Sequence, residues 1–472
     1  MANMRREDLQ MKLPALLHLS RLGYGYLSGA QLRRRDRETN ILPDMLRNAA
    51  ERINHVSMTD ERFAQLMREI RVQLDADDLG KQFYSTIRNG WNGLRLIDFD
   101  HPENNQFRCA AELACGYGPG SFRPDITLFV NGLPLAMTEV KTRDRGRGLR
   151  SEYDRMQARF RSGTGRRYLQ CAQIWAFSDN HADDPDPLLP YEGNFYTSVV
   201  TEEFPVYAVQ EKRRAVPCRL LPRDAEEERR ILEDAGFPER PHTRAFRQSL
   251  SPRKPVHRMM TALFFPERFL FLLRYGVRYV RETDPAGQET LTRRILTTRQ
   301  LSVLRSMAGK AKRGFRNWTV PSCGAAGEQA ADASMVLLLR DLMPEAALHW
   351  VSAGEAEAAR DREALQACGI PCAGPEETGS PGLIHILQAD RELKTLTRQT
   401  EAHGASVKNV YILPRSLFRY GWKAGFTAAL RRADPSAVFV SKTADRIPES
   451  AFPAVLPNME GIEQAAYFVA IR

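Results

Sequence analysis

Apolar residues recur at three- and four-residue spacing in EDLQMKLPALLHLSRLGYGYL, DMLRNAAERINHV and DERFAQLMREIRVQLD, a period that predicts helices across the first part of the chain. The pattern then shortens. LRLIDFD, ITLFV, LPLAM and CAQIWAFSDN read as extended segments. ITLFV (126–130) and LPLAM (133–137) flank Asn131-Gly132, the dipeptide that best tolerates the positive φ angles of a tight hairpin turn. Residues 1–205 are therefore expected to form an α/β unit in which helices flank a mixed sheet. Residues 206–289 contain proline- and charge-rich stretches that read as a surface connection, then FFPERFLFLLRYGVRYV, a buried helix and strand. From 290 to 472, helical segments alternate with the short apolar runs WTV, ALHWV, LIHIL, NVYIL and AVFV. That rhythm predicts a second α/β unit with a parallel sheet covered by helices.

The hairpin carries chemistry at its open end. Asp125 precedes the first strand, while Glu139 and Lys141 lie near the end of its partner, two residues apart and so on one face. Two carboxylates suit a hard divalent cation that keeps most of its waters, which describes Mg²⁺. A lysine beside such an ion can help deprotonate a water or offset charge developing on a phosphate. This is the layout of the Pro-Asp…Asp/Glu-x-Lys nucleases. A solvent-exposed hairpin with solubilising charged ends is the plain alternative.

Charge sharpens the choice of partner. The 472-residue chain carries a formal charge of +10, with a pI near 9.3, and so favours a polyanion, nucleic acid before others. Directly after Lys141 run Arg143, Arg145, Arg147, Arg150, Arg155, Arg159, Arg161, Arg166 and Arg167. Forked guanidinium donors match phosphate, so this run reads as a phosphate track beside the metal site, against the alternative of a solvated helix face. Hydrophobic content of 43% and charged content of 27% are those of a globular protein. The longest apolar stretch is broken by Pro266, Glu267 and Arg268, so no membrane span is expected. The first residues lack the apolar core of a signal peptide, and seven scattered cysteines point to a reducing cytoplasm. Cys368 and Cys372 lack a second ligand pair at zinc-finger spacing.

FRPDITLFVNGLPLAMTEVK resembles the nuclease motif of the restriction (R) subunit of type I restriction enzymes, a PD-(D/E)xK nuclease. The likeness extends to LSRLGYGYLSG and QIWAFSDN and resumes at FFPERFLFLLRYGVRYV. It implies that Asp125, Glu139 and the Val140 carbonyl hold Mg²⁺ or Mn²⁺ and that Lys141 is catalytic. The family places a Gln, then a Tyr four residues on, along the next helix. Here Tyr153 and Gln157 have that spacing in reverse order, so either the roles are swapped with Gln157 contacting DNA, or Gln157 is merely exposed.

The family continues into a helicase-like, RecA-like motor, and here the chain departs from it. The phosphate loop should end in Gly-Lys-Ser/Thr, whose lysine reaches the nucleotide phosphates. Here Gly327 is followed by Glu328 and Gln329. Leu413, Pro414, Arg415 and Ser416 replace the acidic tetrad that ends the next motor strand, and Thr443, Ala444, Asp445 and Arg446 replace a later Thr-Gly-Thr-Pro. The second unit therefore reads as a degenerate motor domain that binds no ATP, or else as an unrelated α/β domain. The functional expectation is a metal-dependent, ATP-independent DNA endonuclease working with protein partners in anti-phage defence. The alternative is a non-catalytic DNA-binding or assembly subunit of such a complex.

Overall fold

The computed structural model describes residues 8–116, 121–141, 149–163, 165–180, 193–198, 207–208, 219–283, 286–313, 318–321, 327–373, 383–389, 408–413, 430 and 436–443. They fall into two compact units, Met1–Val277 with Leu291–Thr298, and Arg278–Thr290 with Arg299–Arg472.

The first unit is built on a seven-stranded sheet whose spatial order follows the chain: β1 (Gly25–Tyr26), β2 (Phe107–Ala111), β3 (Ile126–Val130), β4 (Leu133–Val140), β5 (Ile174–Ser178), β6 (Asn194–Thr197) and β7 (Tyr207–Ala208). β1 and β2 pair parallel, as do β4 and β5; the other neighbours are antiparallel, so the sheet is mixed, as the pattern implies. The hairpin forms at Asn131-Gly132, with φ of 53° and 82°. Val130 pairs with Leu133 and Ile126 with Thr138. Gly132 is required by crowding as well as by φ, because a Cβ there would stand 2.6 Å from the Leu42 carbonyl oxygen. Every residue of β3 and β4 is buried, which excludes a solvent-exposed hairpin.

The helices of the opening segment form largely as expected, at Leu13–Leu22, Pro43–Asn54 and Asp60–Asp75. One expected strand does not form. LRLIDFD, residues 94–100, is held by side-chain amides in place of a ladder. Asn131 donates to the Leu96 carbonyl at 2.9 Å, and the Asn105 amide brackets the Asp98 backbone at 2.7 and 2.9 Å. Those bonds satisfy the segment locally, which is how Asn competes with sheet pairing.

The first unit extends beyond residue 205, through helices at Ala225–Asp234, Arg244–Ser249 and Pro255–Phe264. Of the proline- and charge-rich stretch expected as a surface connection, residues 209–218 lie outside the described residues, and from Ala225 on it forms a helix. Asp224 caps it by accepting from the backbone N–H groups of Glu226 and Glu227, and Ile231 and Leu232 bury its inner face. Tyr24 donates to the Phe264 carbonyl at 2.7 Å and Tyr84 to the Leu273 carbonyl at 2.8 Å, joining this region to the opening helices.

The second unit holds a five-stranded, all-parallel sheet: β10 (Trp318–Pro321), β11 (Ala347–Ser352), β12 (Ile384–Gln388), β13 (Asn409–Leu413) and β14 (Val438–Thr443). Its order is β10-β14-β13-β11-β12. The strands are those expected from the apolar runs, with helices at Glu328–Leu342 and Glu355–Ala367 between them in the chain. The remaining strands, β8 (Val277–Thr283) and β9 (Glu289–Ile295), form a two-stranded ribbon.

Candidate active site

The register of the hairpin carries the end of β4 alongside the residue before β3. Asp125 and Glu139 are 5% and 3% exposed, so both carboxylates are withdrawn from bulk water. Oδ2 of Asp125 accepts the Val140 backbone N–H at 2.9 Å, and the Lys141 ammonium lies 3.4 Å from the same oxygen. Lys141 is in turn fixed to β5, its backbone N–H donating to the Ser178 carbonyl at 2.9 Å. The three residues singled out from the sequence are thus brought together.

Glu139 has the least comfortable environment of the three. Its Oε1 is buried and has no hydrogen-bond partner. Burial first, and the neighbouring Asp125 carboxylate second, push its carboxyl well above the usual range, with Lys141 and Arg155 opposing. A buried carboxylate with an unpartnered oxygen must take up a proton or a cation. A divalent ion fits that demand. Among the described residues no three His, Cys, Asp or Glu side chains form a metal-holding group, so an ion here would rely on Asp125, Glu139, a backbone carbonyl and water.

A residue that sequence reasoning missed lies on the other side of Asp125. Lys12, at the end of the wide helical turn Asp8–Lys12, places its ammonium 3.4 Å from Asp125 Oδ1 and 3.0 Å from Asp8 Oδ1, and pairs with Glu112. No local motif announces it, because its partner Glu112 is 100 positions away in the chain.

The helix Leu149–Arg161 carries part of the arginine run. Arg150 pairs with Asp154, and Arg155 with Glu152. Arg159 lies 4.7 Å over the Phe122 ring. Arg166 pairs with Asp77, and Arg167 with Asp75 and Glu38. Several of these arginines therefore already have carboxylate partners. Arg143, Arg145 and Arg147 lie outside the described residues. Tyr153 is a core aromatic, edge-on to Phe177 and Phe195 at 6.0 and 6.3 Å. Gln157 is buried, not exposed.

In the second unit, Glu328 is the first residue of its helix, after Gly327 at φ 74°, and Gln329 is exposed. Glu328 Oε1 accepts from the Lys442 ammonium at 2.9 Å, and Asp332 Oδ2 accepts from it at 2.7 Å. Lys442 comes from β14, next to β10, and also sits 5.9 Å over the Trp350 ring. Burial pushes the Asp332 carboxyl up to about 6 despite Lys442. Of the other altered motor residues, Leu413 ends β13 and Thr443 ends β14; Pro414, Arg415, Ser416, Ala444, Asp445 and Arg446 lie outside the described residues.

Residues 4–182 match the family described as Type I restriction enzyme R protein N terminus. The chain is 31% identical over 159 residues to the type I restriction enzyme MjaIXP endonuclease subunit of Methanocaldococcus jannaschii, and 31% identical over 166 residues to the HindI endonuclease subunit of Haemophilus influenzae. The first match takes in 29% of this chain and the second 30%, and each spans 15% of the relative's length. No helix among the described residues is long and apolar enough to cross a membrane.

Proposed function

We propose, from the membership of residues 4–182 in the type I restriction R-protein N-terminal family, that this chain is a metal-dependent DNA endonuclease that works without ATP. The observation that carries the reading is the convergence of Asp125, Glu139 and Lys141, with a buried Glu139 oxygen left unpartnered. Asp125, Glu139 and the Val140 carbonyl would hold Mg²⁺ or Mn²⁺. Such an ion, when bound, polarises a phosphate and lowers the pKa of a water. The Val140 N–H orients the Asp125 carboxylate, and Lys141 supplies fixed positive charge where a phosphate becomes more negative. Burial of both carboxylates keeps bulk water from weakening these interactions.

ATP independence draws support from the second unit. A bare Glu328 would repel a triphosphate, but here Lys442 neutralises it. The first turns of the helix, where a phosphate would be cradled, carry this ion cluster in place of a phosphate-binding lysine. In this reading the second unit is a degenerate motor kept for docking, and protein partners in a restriction or defence complex supply target recognition. Incubating supercoiled plasmid with the full chain and Mn²⁺ or Mg²⁺, with and without ATP, tests the proposal. Nicking or linearisation that needs metal and ignores ATP is expected. Activity that is absent without ATP and restored by it would overturn the ATP-independent reading.

A further inference from the structure

Asp125 stands between two lysines, and only one belongs to the Pro-Asp…Glu-x-Lys pattern. Oδ2 faces Lys141 and the Val140 N–H; Oδ1 faces Lys12. Lys12 is itself surrounded, with Asp8 at 3.0 Å and Glu112 in direct contact. Its side chain is 14% exposed, so this is a largely desolvated cation held by three carboxylates from three parts of the chain. Were the ammonium absent, Asp8, Glu112 and Asp125 would face one another uncompensated.

We propose that Lys12 is a positioning residue that serves as the built-in cation of this cleft and fixes Asp125 so that a divalent ion binds on its Glu139 side. This rests on the metal-dependent reading above. Lys12 holds Oδ1 and neutralises Asp8 and Glu112, while Oδ2 accepts from Val140 and Lys141, which leaves Glu139 Oε1 as the unpartnered acidic donor.

Mn²⁺ titration calorimetry on the full chain tests this, with circular dichroism to confirm folding. The parent and Lys12→Arg are expected to bind one Mn²⁺. Lys12→Met is expected to bind it at least threefold more weakly, because Oδ1 of Asp125 loses its fixed partner and meets Asp8 and Glu112 uncompensated. A folded Lys12→Met protein with the parent's single site, unchanged within threefold in affinity, would overturn the proposal while leaving the metal reading intact. If neither the parent nor Lys12→Met takes up Mn²⁺, the metal reading falls and this inference with it. Should Lys12→Met not fold, the exposed anchors offer a second route. Asp8→Asn with Glu112→Gln leaves Lys12 committed to Asp125 alone, and Mn²⁺ affinity is expected to fall at least threefold; an unchanged affinity would refute the assignment.

Discussion

The Val140 backbone N–H donates to Oδ2 of Asp125 across 2.9 Å, so the carboxylate at the mouth of one hairpin strand is tied to the backbone of the other. The bond separates two roles of Asp125. An asparagine can still accept this N–H but carries no charge. Asp125→Asn should therefore keep the parent's melting temperature within a few degrees while plasmid cleavage in Mn²⁺ falls by at least about a hundredfold, the scale of losing a catalytic group. Asp125→Ala loses the bond as well and should melt lower. Lys141→Ala should abolish cutting with the fold retained. Cleavage at the parent's rate by both Asp125→Asn and Lys141→Ala would remove these residues from the chemistry.

The hairpin was legible because its information is local. Asn131-Gly132 sets the turn, the two apolar runs set the strands, and strand alternation then puts Glu139 and Lys141 on one face. The strands of the second unit were legible for the same reason, as short apolar runs between helical patterns. LRLIDFD failed because its bonds come from Asn105 and Asn131, whose side chains no strand pattern encodes. Lys12 was invisible for a related reason, since its meaning depends on Glu112 and Asp125, brought to it only by folding. The arginine run looked uniform in sequence, yet partners such as Asp75 for Arg167 and Glu152 for Arg155 distinguish its members.

A histidine pair makes the first unit sensitive to acid. His18 and His257 stack with ring centroids 4.5 Å apart. The Thr261 hydroxyl donates to the His257 carbonyl, so it accepts from Nε2 of His18, which fixes that ring's neutral tautomer. Burial above all, with Lys254 and Arg21 adding repulsion, lowers His257 to about 4, and burial, His257 and Arg21 lower His18 as well. The unfolded chain thus binds protons that the folded chain refuses. Stability is full above the unfolded value of about 6.5 and is lost as pH falls toward the folded value. His257 alone accounts for about 3 kcal/mol by pH 4. Thermal melts at pH 7 and pH 4.5 should show a larger drop for the parent than for His257→Gln; equal drops would dismiss the pair as the cause.

The ion cluster of the second unit gives a prediction with opposite single and triple variants. Lys442→Met removes the ammonium that joins the half-buried Glu328 and Asp332 carboxylates and should lower the stability of the second unit. Glu328→Gln with Asp332→Asn added to Lys442→Met removes both carboxylate charges and should recover most of that loss. Denaturant melts that resolve the second unit decide the matter, and a triple variant no more stable than the single one would refute it. Neither variant is expected to gain ATP binding by calorimetry at millimolar nucleotide, because neutralising the cluster supplies no phosphate-binding lysine.

Arg293 sets the smallest fragment that should fold as the nuclease unit. It is fully buried, and its guanidinium donates to the carbonyls of Leu79, Gln170 and Ala172 at 3.0–3.1 Å and to Ser198 Oγ at 2.6 Å. Two of those carbonyls, at the end of the helix Arg166–Cys171, also accept from Gln173 Nε2 and Trp175 Nε1, so Arg293 ties this helix end into a shared buried network. A fragment of residues 1–205 lacks Arg293 as well as Phe264, Leu273 and Leu296, whose carbonyls accept from Tyr24, Tyr84 and Tyr196. That fragment should be unfolded or aggregated, whereas residues 1–298 should give a cooperative melt. Arg293→Met in the full chain should selectively lower the melting of the first unit. A soluble, cooperatively folding 1–205 fragment would show that these contacts are dispensable and that the nuclease unit ends near β7.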